Sequence, residues 1–456
     1  MTTARKMHSD GGEARQFADA HPELDYVEAF ITDVNGIARG KRLPARALPR
    51  LFDSGFCLPA STVVLDVWGS EVGETGLIFD KGDADHHCYP VPGSLRPLPW
   101  TNGRGAQVML RMDGPDGRPF HADPRNVLDS VAERFRRRGQ TPVIATELEF
   151  RLFEPDVDGN GPPRAPTRLG QGYGSQLFGM DELGAMDDLF SAFDSACRAQ
   201  GLPADTVIAE QSAGQYEVNL LHVDDPLLAA DQAILLKRTI KAVARQHGLL
   251  ASFMAKPFGD QAGNGLHVHA SLLDADGHNL FTDGEAPADA LYQAVGGLLA
   301  TLDDTAAVLA PHANSWRRFQ ANTHVPMGAT WGFDNRTTAV RVPLSKPAST
   351  RVEHRVAGAD ANPYLVVAAV LAGIDHGMTH ALEPPPETIG SAFDGQRSAL
   401  PESWERALAI FEGSAFIGES MGEEYRRLFT VCKRQEQARF RCDVPPLEYK
   451  TYLDVI

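Results

Sequence analysis

Apolar and polar residues alternate with a period of two in four separate stretches of this chain. In VIATELEFRLF (143–153), Val143, Ala145, Glu147, Glu149 and Arg151 share one face of a predicted strand, while Ile144, Leu148, Phe150 and Leu152 share the other. QYEVNL (215–220) sets Gln215, Glu217 and Asn219 against Tyr216, Val218 and Leu220. GLHVHASLL (265–273) sets His267, His269 and Ser271 against Leu266, Val268, Ala270 and Leu272. RVEHR (351–355) puts Arg351, Glu353 and Arg355 on one side.

Between these strands the period changes to that of helices. Asp123-Pro124 supplies a cap and a first-turn proline, Val127, Leu128, Val131 and Phe135 form the apolar stripe, and four arginines (134 and 136–138) precede the stop at Gly139. Asp225-Pro226 opens a second helix running to Gly248, with Leu228, Leu235, Leu236, Ile240 and Val243 inward, and Asn362-Pro363 opens a third. Before residue 120 helical patterns are sparse. YVEAFITDVNGIARGKRLP (26–44) reads as a hairpin turning at Asn35-Gly36, and AQVMLRM (106–112) as another strand. The expected layout is a mobile arm over 1–20, a small β-rich domain over 21–114 and a large α+β catalytic domain over 115–456. In the latter, a sheet with polar side chains on one face and helices behind the other forms a cavity floor. The Pro/Gly-rich stretches at 155–174 and 383–397 read as surface loops.

Composition narrows the function classes. The chain has 456 residues, 43% of them hydrophobic and 23% charged, as in a soluble globular protein. No apolar run reaches the roughly 18 residues of a membrane span. No secretory h-region is visible, so the cytoplasm is the expected location. The net charge of −17 argues against nucleic acid as a partner. Five cysteines without a CxxC spacing argue for free thiols rather than disulfides or a zinc site.

The polar strand faces carry the chemistry. Glu147, Glu149, Glu210, Glu217, His267 and Glu353 converge on one sheet face, where glutamates would repel one another unless cations lie between them. Carboxylates with one imidazole favour Mg²⁺ or Mn²⁺ over zinc. Such ions hold the phosphates of ATP, and Arg318, Arg336, Arg341 and Arg355 suit carboxylate and phosphate oxygens. No Gly-x-x-x-x-Gly-Lys-Ser/Thr loop occurs, which excludes a P-loop enzyme.

These motifs resemble the glutamine synthetase family over nearly the whole chain. TELEF, EQSAGQYEVN, KPF…GNGLHVHASL, NSWRRF, DNRTTAVRVP and RVEHRVAGADANPYL follow one another in the family's order. The resemblance implies an N-terminal β-grasp domain, an α+β catalytic domain whose antiparallel sheet lines the active site with helices behind it, ATP as co-substrate and two or more Mg²⁺ or Mn²⁺ ions per site. It also implies a homo-oligomer of two stacked hexameric rings with sites shared between subunits. It places one metal on Glu149, Glu210 and Glu217 and another on Glu147, His267 and Glu353. It assigns ATP contacts to His269, Ser271, Arg336 and Arg341, phosphoryl transfer to Arg336, and glutamate binding to Gly263, Arg318 and Arg355. The implied reaction activates the γ-carboxylate of glutamate as γ-glutamyl phosphate, which an amine then attacks.

The chain departs from the family where ammonium is captured. Pro59 (in LPAST) and His324 (in QANTHVP) stand where two acids are expected. The LPAST, ETG and QAGNGLHVH wording is similar to the γ-glutamylpolyamine synthetases, so a polyamine such as putrescine is the expected amine; ethanolamine-type monoamines and ammonium are the alternatives. Asp66, Glu71 and Glu74 are candidate acids at the pocket mouth, with Trp68 or Trp331 as a cation–π wall and His324 as a proton acceptor in catalysis. DQAGNG replaces the family's DNGSG, which displaces the asparagine that helps hold glutamate. The C-terminal region lacks the family's adenylylated tyrosine motif.

Overall fold

A computed structural model describes residues 11–155, 163–170, 176–320, 325–393 and 400–456. The first unit is built on a mixed sheet in the order Ala38–Pro44, Tyr26–Thr32, Gly105–Asp113, Asp85–Pro90, Phe56–Pro59, with Arg96–Pro97 also on Gly105–Asp113. Tyr26–Thr32 runs parallel to Gly105–Asp113, while its hairpin partner Ala38–Pro44 is antiparallel. The hairpin turns where the sequence predicts. Gly36 takes φ +74°, a left-handed value that costs glycine least, and Asp33 Oδ1 accepts from the N–H groups of Asn35 and Ile37. Of the arm expected over 1–20, residues 11–20 are described. Gly12–Ala20 is a helix with Ala14 buried, and its Glu13 accepts from the backbone of Gly93 and Leu95.

The second unit is an eight-stranded sheet in the order Trp331–Phe333, Val340–Val342, Val352–His354, Leu266–Leu273, Thr141–Phe153, Gln215–Leu220, Ala204–Ala209, with Leu250–Ser252 also paired to Thr141–Phe153. Its pairs are antiparallel except Trp331–Phe333 with Val340–Val342. Ile144, Leu148, Phe150 and Leu152 are buried behind it against the helices Pro124–Arg137, Pro226–Gln246 and Pro363–Thr379. Each helix starts as read. Asp123, Asp225 and Asn362 accept from the backbone N–H groups of Arg125, Leu227 and Tyr364, with proline in the first turn. Leu228, expected inward, is exposed; Leu227 beside it is the buried leucine of that first turn.

The long helix Glu423–Cys442 crosses back onto the first unit. Leu428 joins that unit's core, Lys433 Nζ donates to Asn35, and Glu436 Oε1 accepts from the Val67 N–H at 2.9 Å. The hairpin turn is held from the other side by Asn362, which donates to the Asp33 carbonyl at 2.9 Å. The two units therefore meet along the Glu423–Cys442 helix and at the loop leading out of the Val352–His354 strand.

Candidate active site

Strand register builds the site in rows. Arg341, Glu353 and His269 lie side by side on successive strands; His267, Glu147 and Asn219 form the next row, and Glu149 faces Glu217 in the one after. Because the side-chain period is two, all these positions fall on one face. Glu147, His267 and Glu353 offer ligand atoms within 4.8 Å of one another, and so do Glu149, Glu217 and His267. Glu210 stands just past the Ala204–Ala209 strand, its N–H held by the Gln215 carbonyl at 2.8 Å. It lies outside both triads but close enough to Glu149 to feel its charge.

The electrostatics divide the cage. On one side the carboxylates are answered. Glu147 Oε1 and Oε2 meet His269 Nε2 at 2.8 Å and His267 Nδ1 at 3.1 Å. Burial pushes the Glu147 carboxyl up, but these bonds outweigh it and hold the group far below the usual range. Glu353 is buried and paired with Arg341 and Arg355. Burial raises it, yet Arg355, His269 and His267 bring it down to about 2. On the other side charge is left over. Burial, then Glu147, Glu149 and Glu210, pushes the Glu217 carboxyl up to about 10. Burial and Glu149 push Glu210 up to about 7. Oxygen-rich triads with one imidazole and uncompensated negative charge fit hard divalent cations.

Around the cage lie the groups for a substrate. Arg318 is buried; its Nη1 donates to the Val356 carbonyl at 3.0 Å and its Nε has no hydrogen-bond partner among the described residues. The loop over 255–265 wraps it closely. A Cβ at Gly263 would fall 2.6 Å from the Ala255 carbonyl and 2.8 Å from Arg318 Cγ, so this approach needs glycine. Arg336 is exposed in a turn, near enough to Glu210 for its charge to lower that carboxyl. Arg341 Nε donates to Asp334 at 3.1 Å as well as pairing with Glu353. Ser271 is half-buried one pleat beyond His269.

The sequence profile "Glutamine synthetase, catalytic domain" matches residues 121–452. The chain belongs to the glutamine synthetase family. It is 38% identical over 432 residues to the γ-glutamylputrescine synthetase of Escherichia coli (strain K12), which covers 94% of this chain and 91% of that protein. It is 32% identical over 420 residues to the γ-glutamylethanolamide synthetase of Streptomyces coelicolor, covering 90% and 89%. A ligand-free GmaS structure superposes with a TM-score of 0.84 at 28% identity, over 98% of this chain and 100% of that one. Enzymes of the glutamine synthetase family use ATP and divalent metals, and the carboxylate–imidazole face described above is the part of this family member suited to them.

The sheet face thus gathers Glu147, Glu149, Glu217, His267 and Glu353, and the chain also contains groups that sequence reasoning passed over. Arg351 Nε donates to His269 Nδ1 at 3.2 Å, which leaves the His269 Nε2–H to donate to Glu147. Its position on the Glu353 face was the available signal. Gln215 Nε2 touches both Glu149 and the 255–265 loop.

The amine-side residues fare differently. His324 lies outside the described residues. Asp66 is not an open acid: it is 2% exposed, its Oδ1 accepts from the N–H groups of Trp68 and Ser70, and its Oδ2 from Gln435. Trp331 is buried, with its Nε1 bonded to the Pro385 carbonyl, so its ring is core rather than a cation–π wall. Trp68 is partly exposed, and Arg439 of its own chain lies 4.1 Å over its ring. Glu71 and Glu74 are exposed, and their backbone carbonyls accept from Gln435 and Arg427.

Proposed function

We propose that this protein joins the γ-carboxylate of L-glutamate to an amine at the expense of ATP, with putrescine or a related polyamine as the leading substrate. The observation that carries this reading is the single sheet face on which two carboxylate–histidine triads meet Arg341 and Arg355, in a member of the glutamine synthetase family similar to a γ-glutamylputrescine synthetase. Mg²⁺ or Mn²⁺ held by Glu149, Glu210 and Glu217 and by Glu147, His267 and Glu353 would neutralise phosphate charge there.

Arg318, Arg355 and the backbone at Gly263 hold glutamate. His269, Ser271, Arg336 and Arg341 hold ATP, with Arg336 set against the transferring phosphoryl group. An oxygen of the γ-carboxylate takes the terminal phosphoryl group, giving ADP and γ-glutamyl phosphate. The amine nitrogen attacks the activated carbonyl, phosphate leaves, and the nitrogen loses one proton as the amide forms. His324 is our choice of proton acceptor, and Glu74 of distal-charge partner; Asp66 is no longer part of that pocket. An assembly of stacked hexameric rings, with Glu74 reaching a neighbouring subunit's site, completes the proposal. The five free thiols suit a cytoplasmic setting.

A monoamine substrate is the second reading. It is favoured by the similarity to the ethanolamide synthetase and, at 29% identity, to a glutamate–isopropylamine ligase of a Pseudomonas species. An amine panel with glutamate, ATP and Mg²⁺, scored by phosphate release, separates the readings. We expect putrescine to exceed ammonium by at least about tenfold in kcat/KM, the scale of one lost charged contact. Ammonium matching or beating every alkyl amine would overturn the proposal.

A further inference from the structure

Gln215 lies on the cage face of its strand, between the cage and the 255–265 loop, and is 1% exposed. Its Nε2 is 2.9 Å from the Gly263 carbonyl, 3.1 Å from Asn264 Oδ1 and 3.4 Å from Glu149 Oε2. Its Oε1 is buried without a hydrogen-bond partner among the described residues. The amide's orientation follows from this surrounding: flipping it would set an oxygen against three oxygens. Two N–H groups therefore serve three acceptors. One belongs to the cage and two to the loop that wraps Arg318.

We propose that Gln215 is a positioning residue that couples cation occupancy of the cage to the seating of glutamate on the 255–265 loop. The inference rests on the function proposed above. Glu149 Oε2 accepts from the Gly265 N–H of the loop at 2.8 Å and, at 3.4 Å, also draws on the Gln215 amide that Gly263 and Asn264 share. When charge on Glu149 is drawn toward a cation, the amide is freed to bond Gly263 and Asn264 fully. The far end of the loop is fixed separately. Arg151 donates to Gln261 Oε1 at 2.8 Å and to the Ala262 carbonyl at 2.9 Å, and Lys256 and Asn314 exchange two bonds. Gln215 thus shares with Glu149 the hold on the end of the loop nearest the cage, and among the described residues it alone bonds Gly263 and Asn264 from the cage side. Coupling of this kind is reciprocal: glutamate must tighten the cation by the same factor.

The test is a calorimetric cycle with a non-hydrolysable ATP analogue present throughout. Glutamate binding is measured with and without Mn²⁺, and Mn²⁺ binding with and without glutamate. In the wild type each ligand should tighten the other by at least about fivefold, the lower end of ordinary coupling. Gln215→Met, which keeps the side-chain length and removes the donor, should bring that factor to within about twofold of one. A stitch that merely supports the fold would weaken both affinities and leave their ratio intact, and that result overturns the proposal. So does a wild type that binds both ligands without coupling. A wild type that binds neither sinks the functional reading and this inference with it. Hydrogen exchange of the wild type covers the case in which the variant fails to fold. Mn²⁺ alone, without glutamate, should slow exchange of the 263–265 amides several-fold, and unchanged exchange overturns the proposal.

Discussion

On the catalytic sheet, Glu149, Glu210 and Glu217 crowd one another with few cations of their own chain to answer them, and the Glu217 and Glu210 carboxyls rise to about 10 and about 7. In the loop of the first unit, Asp66 is buried as Glu217 is, yet two backbone N–H groups and Gln435 satisfy both its oxygens. Burial is common to both regions, so burial does not separate function from structure. The difference lies in whether the buried charge is paid for within the chain. A satisfied carboxylate organises the fold, whereas an unsatisfied cluster costs stability and persists where something else completes it. Glu353 stands between the two cases. It is fully paired with Arg341 and Arg355, yet it also closes one of the candidate metal triads.

The largest test of that contrast is Glu353→Gln. The amide keeps the shape but removes the charge that Arg341 and Arg355 share, and it weakens one triad. Activity should fall by at least about 10²–10³-fold with every amine, the scale of losing an electrostatic group aimed at the transferring charge. A loss confined to one amine would show that Glu353 serves the amine pocket instead, and would break the distinction drawn here.

A second test uses protons. The raised Glu217 carboxyl is protonated at pH 7 in the free protein, because its folded value near 10 exceeds the usual 4.5. The folded state therefore binds more protons than the unfolded one between those values. This contribution to the free protein's stability is fully present below pH 4.5 and is lost as pH rises toward 10. Cation binding must displace the proton, so Mn²⁺ affinity should climb with pH from 6 to 9, by up to about tenfold per unit for one proton. Calorimetry in two buffers of different ionisation enthalpy should show proton release near pH 7. Affinity that is flat over this range would mean that Glu217 is not part of the cation site.

The same contrast explains what the chain declared in advance. Period-two patterning fixes which side chains share a sheet face, so the rows through Glu147, Glu149, Glu217, His267 and Glu353 were readable without coordinates. The capped helix starts at Asp123, Asp225 and Asn362 were readable for the same reason: each depends on neighbours in sequence. Asp66, Trp68 and Trp331 were not. Whether an acid is free or spent depends on partners such as Gln435, 369 positions away, and no local pattern reports them. Leu228 failed on a finer scale, since a helix's first turn sits at the rim of the core and a one-residue rotation decides which leucine is covered. Gln215 was placed on the cage face but given no role, because a lone glutamine carries no motif and its loop partners Gly263 and Asn264 are distant in sequence.

The smallest expected effect bears on the satisfied half of the comparison. Asp66→Ala removes the acceptor for the Trp68 and Ser70 N–H groups and for Gln435, all at a junction between the first unit and the Glu423–Cys442 helix. The loss should be about 1–3 kcal/mol of stability, read as a lower urea midpoint, because buried donors are left without partners. The ratio of putrescine to ammonium turnover should stay within about twofold of wild type, well below the tenfold that a lost charged contact with the amine would cost. Asp66→Asn sharpens the point. It keeps Oδ1 for the two backbone donors and sets an amide against Gln435, so its stability loss should be the smaller of the two. If Asp66→Asn instead shifts amine preference while leaving the urea midpoint in place, then Asp66 faces an amine in the assembled protein. The line between spent and unspent carboxylates would then have to be redrawn around the neighbouring subunit.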